Sequence, residues 1–199
     1  YKKNYTISRI LDKKFEFKFN TKKLLFDRPK LNGHHQIENA SVALAFTEIM
    51  SQKKFKMNMK KVNYAIREAY WPGRLEIIDF MDKKIILDGS HNIEGAKKLK
   101  QFLKKKKIKP IVIFGMLKNK NKNVFLKLIK AEIKKIIAIK IPNEINSFLS
   151  KDIAKTCKLL SIDNSEIKNF GEVIKFIKNS KEKIILITGS LYLVGKIRS

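Results

Sequence analysis

A rhythm constrains this chain more than any single motif. From residue 84 onward, short apolar runs at 84–87, 110–114, 135–141 and 183–187 alternate with amphipathic stretches near 92–105, 123–131, 151–160 and 171–179. Continuous apolar strands joined by helices form a parallel sheet covered on both faces. The carboxyl ends of such strands share one edge. Here those ends carry Asp88-Gly89, Gly115, Pro142 and Gly189-Ser190. Ligands of open α/β sheets bind outside that edge, so the pattern predicts a crevice with Asp88, His91, Ser190 and Tyr192 near its mouth.

The stretch Lys84-Ile85-Ile86-Leu87-Asp88-Gly89-Ser90-His91-Asn92-Ile93-Glu94-Gly95 is the centre of this pattern. Apolar residues run into an acid, a glycine and short polar side chains, and an amphipathic segment follows. A buried strand that turns into a helix start leaves backbone N–H groups facing a ligand. An ordinary strand–helix turn, with Asp88 or Asn92 capping the helix, gives the same pattern.

Upstream the period is different. Residues 5–11 and 15–19 alternate around Asp12-Lys13-Lys14, with Phe15, Phe17 and Phe19 on one face, which predicts a β-hairpin. Residues 23–26 suit a further short strand. A loop over 31–40 leads into an apolar helix of about four turns through Val42, Leu44, Phe46 and Ile49. His34 and His35 are adjacent, so on a helix they diverge by about 100° and read as polar groups at its entrance. A second helix over 59–69 stops at Trp71-Pro72-Gly73-Arg74, the natural domain boundary, where Trp71 reads as a packing residue. Residues 75–81 and 84–87 then form a hairpin around Asp82-Lys83.

Length allows one large domain or two small ones. Lys and Arg number 45 against 18 acids, a net charge of +27, so a polyanion partner must be weighed. The lysines are spread along the chain beside only 8 glycines, as a global drift in residue usage would produce. The block Lys104 to Lys107 follows a helix pattern, and cations suit a helix end. No aromatic–basic interleaving of the RNA-binding kind occurs, so nucleic-acid binding as the main function is disfavoured. Cys157 stands alone, which excludes an internal disulfide framework or a multi-cysteine metal site, and reads as a buried filler. There is no signal-peptide pattern and no apolar run near the ~18 residues of a membrane span, so a cytoplasmic protein is expected. The chain opens at Tyr1 rather than Met, within what reads as a strand, and is expected to be a piece of something longer. Neither Gly-x-x-x-x-Gly-Lys-Ser/Thr nor Gly-x-Gly-x-x-Gly occurs, nor a nucleophile elbow, nor metal-ligand spacing.

Four segments in order carry a resemblance: Gly33-His34-His35-Gln36-Ile37-Glu38-Asn39-Ala40, Trp71-Pro72-Gly73-Arg74-Leu75-Glu76, Leu87-Asp88-Gly89-Ser90-His91-Asn92 and Gly189-Ser190-Leu191-Tyr192. Their order and spacing resemble folylpolyglutamate synthase/dihydrofolate synthase, of the Mur ligase superfamily, across nearly the whole chain. The resemblance implies an α/β fold: the end of a Mur-ligase central ATPase domain (1–70), a linker (71–74) and a Rossmann-like, mainly parallel-sheet carboxyl-terminal domain (75–199). The family's phosphate loop, magnesium ligands and carbamylated lysine would lie upstream of Tyr1.

The implied activity is ATP-dependent ligation of L-glutamate to dihydropteroate or a folate through an acyl phosphate. By the resemblance, Asn39 would contact ATP from the central domain. Arg74 would reach the phosphates, where a fork of permanently charged donors is suited. Asp88 would hold the ribose or adenine side, and His91 would lie beside the nucleotide or the glutamate. Arg74 and His91 are thus the catalytic candidates, Ser190 and Tyr192 the glutamate-binding ones, and Gln36 an orienting residue. Local readings stand beside these: Asn39 bonding locally, Arg74 as a surface charge, Asp88 as a cap and His91 as a structural histidine. Gly115-Met116-Leu117-Lys118-Asn119-Lys120-Asn121 departs from the family's acidic pattern, and no role is carried onto it. A monomer is expected, with domain closure on ATP and Mg2+, and no turnover without the upstream lobe. The alternatives are another Mur-type amino-acid ligase, or a non-catalytic basic binding module.

Overall fold

The computed structural model describes residues 4–53 and 55–199. The strand reading at Tyr1 lies outside them. The chain divides into two compact units between Trp71 and Pro72.

In the first unit, alternation decides the fold. Strands β1 (Tyr5–Ile10), β2 (Lys14–Phe19) and β3 (Lys22–Asp27) form an antiparallel meander. Period-two spacing puts Phe15, Phe17 and Phe19 on one face. With Phe26 they pack against Ile37, Ala40, Leu44 and Ala45 of helix α1 (His35–Gln52). The Phe17 and Phe26 rings meet edge to face at 6.3 Å. Helix α2 (Met59–Glu68) is capped by Asn58, whose side chain accepts from the Lys60 and Lys61 N–H groups. The loop expected over 31–40 is shorter than read. Helix α1 begins at His35 because Ile37 and Ala40 already supply its first buried turn.

In the second unit, the sheet has the strand order β4-β5-β9-β6-β7-β8, from β4 (Glu76–Phe80), β5 (Lys83–Asp88), β6 (Ile111–Phe114), β7 (Lys135–Ile139), β8 (Asn164–Ile167) and β9 (Ile184–Thr188). Only β4 runs antiparallel, as the hairpin partner of β5. Helices α3 (Ile93–Lys106), α4 (Lys122–Ile129) and α5 (Ser150–Leu159) cover one face through Leu99, Leu103, Leu126 and Ile153, packed on Ile86, Val112, Phe114 and Leu186. On the opposite face α6 (Phe170–Asn179) and α7 (Leu191–Arg198) place Val173, Ile177, Leu193 and Val194 against Ile85, Leu87, Ile113 and Ile187. The α/β, mainly parallel architecture is as the rhythm required. Two elements go beyond the sequence reading. Strand β8 (Asn-Ser-Glu-Ile) is a polar edge strand without an apolar signal, and α7 is a short helix held by its Ser190 cap.

The last strand fixes the site. Strand β9 inserts between β5 and β6, so Asp88, Thr188 and Phe114 sit side by side in register. The chain leaves β5 and β6 toward α3 and α4 on one face, and leaves β9 toward α7 on the other. Neighbouring strands whose exits diverge open a crevice at their carboxyl ends. Among the described residues no helix is long and apolar enough to cross a membrane.

Candidate functional site

Three glycine-bearing loop ends meet at this edge. Gly189 has φ +102 and donates its N–H to the Ser90 carbonyl at 3.1 Å. A Cβ there would lie 2.4 Å from the Gly115 carbonyl oxygen, so only glycine lets these loops touch. The Gly89 N–H donates to the Gly73 carbonyl at 2.7 Å, drawing the 73–75 turn onto the edge.

Arg74 lies within that turn. Its neighbours Gly73 and Leu75 both have left-handed backbones, with φ +70 and +50. For leucine this conformation is strained, and it is held by two things: the side chain is buried in the core, and the Leu75 N–H donates to Asp88 Oδ2 at 3.2 Å. The half-buried Arg74 guanidinium forms no hydrogen bond or salt bridge with any described residue. A cation without a hydrogen-bonded partner fits an anionic group such as a phosphate.

Asp88 is beneath the crevice rather than lining it. It is 4% exposed, and besides Leu75 its Oδ1 accepts from the Ser90 N–H at 3.1 Å. Burial pushes its carboxyl above the ordinary value, opposed by the Ser90 and Leu75 hydrogen bonds and by the charge of Arg74. It therefore joins the 73–75 turn to the Ser90 loop. The helix cap is Asn92 instead, accepting from the Gly95 N–H at 2.8 Å. Ser90 packs so closely on Gly95 that a Cβ there would lie 2.8 Å from its side chain.

A cleft of about 200 Å³ opens beside this frame, lined by His91, Leu117, Asn119, Lys120, Ser190 and Tyr192 with the Gly189-Leu191 backbone. His91 Nδ1 is 2.8 Å from the Gly89 carbonyl. A carbonyl only accepts, so Nδ1 carries a hydrogen, and in the neutral ring Nε2 is left to accept one. Ser190 is 3% exposed and caps α7, its Oγ accepting from the Tyr192 N–H at 3.1 Å. Tyr192 is exposed.

The loop over 115–121, to which the sequence reading gave no role, supplies the opposite wall. It is tied down by the Lys118 N–H to the Asn146 carbonyl (2.7 Å), the Lys120 N–H to the Leu117 carbonyl (3.1 Å), and Asn121 capping α4. The Lys120 ammonium has no anionic or hydrogen-bonding partner among the described residues. The missed signal was the loop's place after an apolar strand: Gly115 was among the strand ends expected on the edge. Thr188, whose Oγ1 is buried without a hydrogen bond, was also missed. Nothing in its sequence marks it.

The sequence candidates thus fall into three groups. His91, Ser190 and Tyr192 share the cleft. Arg74 lies in the 73–75 turn, which Asp88 holds through the Leu75 N–H. Asn39 belongs to the first unit, exposed near the start of α1, with its amide donating to Gln36 Oε1 at 3.0 Å. Among the described residues no group of three or more His, Cys, Asp or Glu could hold a metal.

Residues 74–199 match the model of the family described as dihydrofolate synthetase, C-terminal domain. Over 196 residues the chain is 31% identical to the dihydrofolate synthase/folylpolyglutamate synthase of Bacillus subtilis (strain 168), covering 92% of this chain and 43% of that protein. Its fold matches Escherichia coli FolC solved with DHPP and ADP at TM-score 0.82 and 18% identity, covering 98% of this chain and 45% of that one. A bifunctional folylpolyglutamate synthase/dihydrofolate synthase solved with Mn, AMPPNP and L-glutamate matches at TM-score 0.81 and 16% identity, with the same coverages of 98% and 45%. The chain spans less than half the length of each.

Proposed function

The chain belongs to the dihydrofolate synthetase family, and on that footing we propose that it is the glutamate-holding part of an ATP-dependent ligase that adds L-glutamate to dihydropteroate or a folate. The cleft carries this reading. Its volume of about 200 Å³ is below the roughly 300–1,000 Å³ of sites for larger ligands, so it suits an amino acid better than a whole nucleotide. Lys120 offers an unpaired cation for a carboxylate. The Ser190 hydroxyl and the Tyr192 phenol offer neutral polar groups, and His91 Nε2 is placed to accept a hydrogen from an ammonium.

Under this reading residues 1–70 are the carboxyl-terminal part of a central ATPase domain, 71–74 the linker and 75–199 the amino-acid-binding domain. Arg74 neutralises charge on the ATP phosphates, with Asp88 setting its turn and Asn39 meeting the nucleotide from the first unit. ATP supplies the phosphoryl group that turns the pterin substrate's carboxylate into an acyl phosphate. The glutamate amine then attacks that carbon, expelling phosphate and losing a proton to form the amide. The chain's own work is positional and electrostatic: it holds the amine in line and keeps a charged fork in place without reorganisation. The ATP-dependent ligase also uses a divalent ion, held outside the described residues. We further propose a cytoplasmic monomer that does not turn over without a phosphate-binding lobe.

The test is a ligation assay dependent on ATP and glutamate, with dihydropteroate and tetrahydrofolate offered separately. It compares the 199-residue chain with a chimaera carrying the upstream lobe of the Bacillus subtilis relative. Turnover is expected only in the chimaera. It should drop about 100-fold or more with Arg74→Ala, the scale for removing one preorganised charge-stabilising group. Turnover by the chain alone, or an Arg74→Ala chimaera as active as its parent, would refute these assignments.

A further inference from the structure

Lysine is abundant everywhere in this chain, but the acids that accompany it are not. Residues 72–92 carry Arg74, Lys83 and Lys84 against four acids. Residues 93–132 carry thirteen lysines against only Glu94 and Glu132. A uniform drift toward lysine does not withdraw the acids from one segment.

That segment builds one side of the sheet: α3, the loop over 115–121 and α4, with α3 packed against α4. Both helices begin at the cleft, α3 two residues after His91 and α4 two residues after Lys120. On α3, Lys97, Lys100 and Lys104 recur at spacings of three and four, which aligns them along the helix. The line runs on into Lys105 to Lys107, so cations extend for about 15 Å away from the cleft. Lys97 is paired with Glu94, whereas Lys100 and Lys104 to Lys107 pair with no acid among the described residues. Like charges at these spacings repel, and a bound anion relieves that repulsion.

The chemistry of the row narrows the anion. The segment has no arginine, and its aromatic residues, Phe102, Phe114 and Phe125, are all buried. It therefore lacks the stacking platforms and planar forks with which proteins hold bases. Flexible point charges on long stems suit a flexible string of carboxylates. Repeated ligation of glutamate makes such a string, with one free carboxylate for each residue added, and it leads away from the reaction centre where the next glutamate is held. We propose that the α3–α4 face binds the oligoglutamate tail of the growing product; this rests on the ligase reading above.

The test titrates the 199-residue chain, followed by backbone amide NMR, with L-glutamate, pentaglutamate and an RNA oligonucleotide of matched charge. Pentaglutamate is expected to bind at least about tenfold more tightly than L-glutamate, with shifts along α3 and a marked loss of affinity in added salt. The triple variant Lys97→Gln, Lys100→Gln, Lys104→Gln keeps good helix formers at exposed or half-buried positions, so it folds. It should lose the pentaglutamate advantage while its L-glutamate affinity is unchanged. Equal affinities in the wild type, or a triple variant that still prefers pentaglutamate, would overturn the proposal. So would RNA displacing pentaglutamate at equal charge, which would make the face a nucleic-acid surface. L-glutamate that leaves the cleft unmoved counts against the ligase reading, whatever the tail does.

Discussion

Gly189 and Gly195 are six residues apart, and the same substitution should move stability in opposite directions. At Gly189 a methyl would sit 2.4 Å from the Gly115 carbonyl and 2.8 Å from the Phe114 ring, and the backbone φ is +102. The carbonyl belongs to a loop already clamped between strands, so it cannot move aside cheaply. Left-handed strain for a residue with a Cβ costs about 1–3 kcal/mol, and overpacking costs about the same again. Gly189→Ala should therefore destabilise the second unit by about 3–5 kcal/mol, lowering its Tm by roughly 10–20 °C for a unit of this size. At Gly195, inside α7, a methyl meets nothing within 4 Å. Gly195→Ala should stabilise by about 0.5–1 kcal/mol, because alanine loses less backbone entropy in a helix. Scanning calorimetry of both variants beside the wild type measures the pair. A Gly189→Ala transition within about 3 °C of wild type would show that the β5, β6 and β9 loop ends do not meet as described.

Three further outcomes are expected. Burial raises the Asp88 carboxyl above its ordinary 3.8, so the folded state binds its proton more tightly than the unfolded state. Asp88's contribution to stability should then fall as pH rises from 3.8 through its folded value, and urea unfolding at several pH values should show Asp88→Asn gaining on wild type across that window. Cys157 is fully buried, and burial pushes its thiol up to about 11. A disulfide reagent at neutral pH should label it about a hundredfold or more slowly in the native chain than in urea, and equal rates would contradict its burial. Lys120→Met in the active chimaera should raise the KM for glutamate about tenfold or more while leaving that for ATP unchanged. A change confined to ATP would move Lys120 to the nucleotide.

Much of the fold was legible because its signals are local. Phe15, Phe17 and Phe19 state a strand by their spacing, and the apolar runs before Asp88, Gly115 and Gly189 state buried strands with a common edge. Other features were not legible because their cause is not local. Strand β8 is paired on one side only and has four residues of mixed polarity, so burial leaves little imprint on its sequence. Helix α1 starts earlier than its loop-like histidines suggest because the phenylalanine face of β2 buries Ile37.

The sequence by itself determined the alternation of apolar strands and helices, and that His91, Ser190 and Tyr192 belong near one edge. Only the tertiary structure decided that β9 slides between β5 and β6, which brings residues from the two ends of the unit into register beside Asp88. The same packing buries Asp88 as the tie between the Leu75 and Ser90 N–H groups, and gives the unassigned Lys120 a place in the cleft. The physical reason is range. Side-chain period and turn chemistry act over a few residues, whereas strand order is chosen by covering both faces of a sheet at once, which no short window of sequence records.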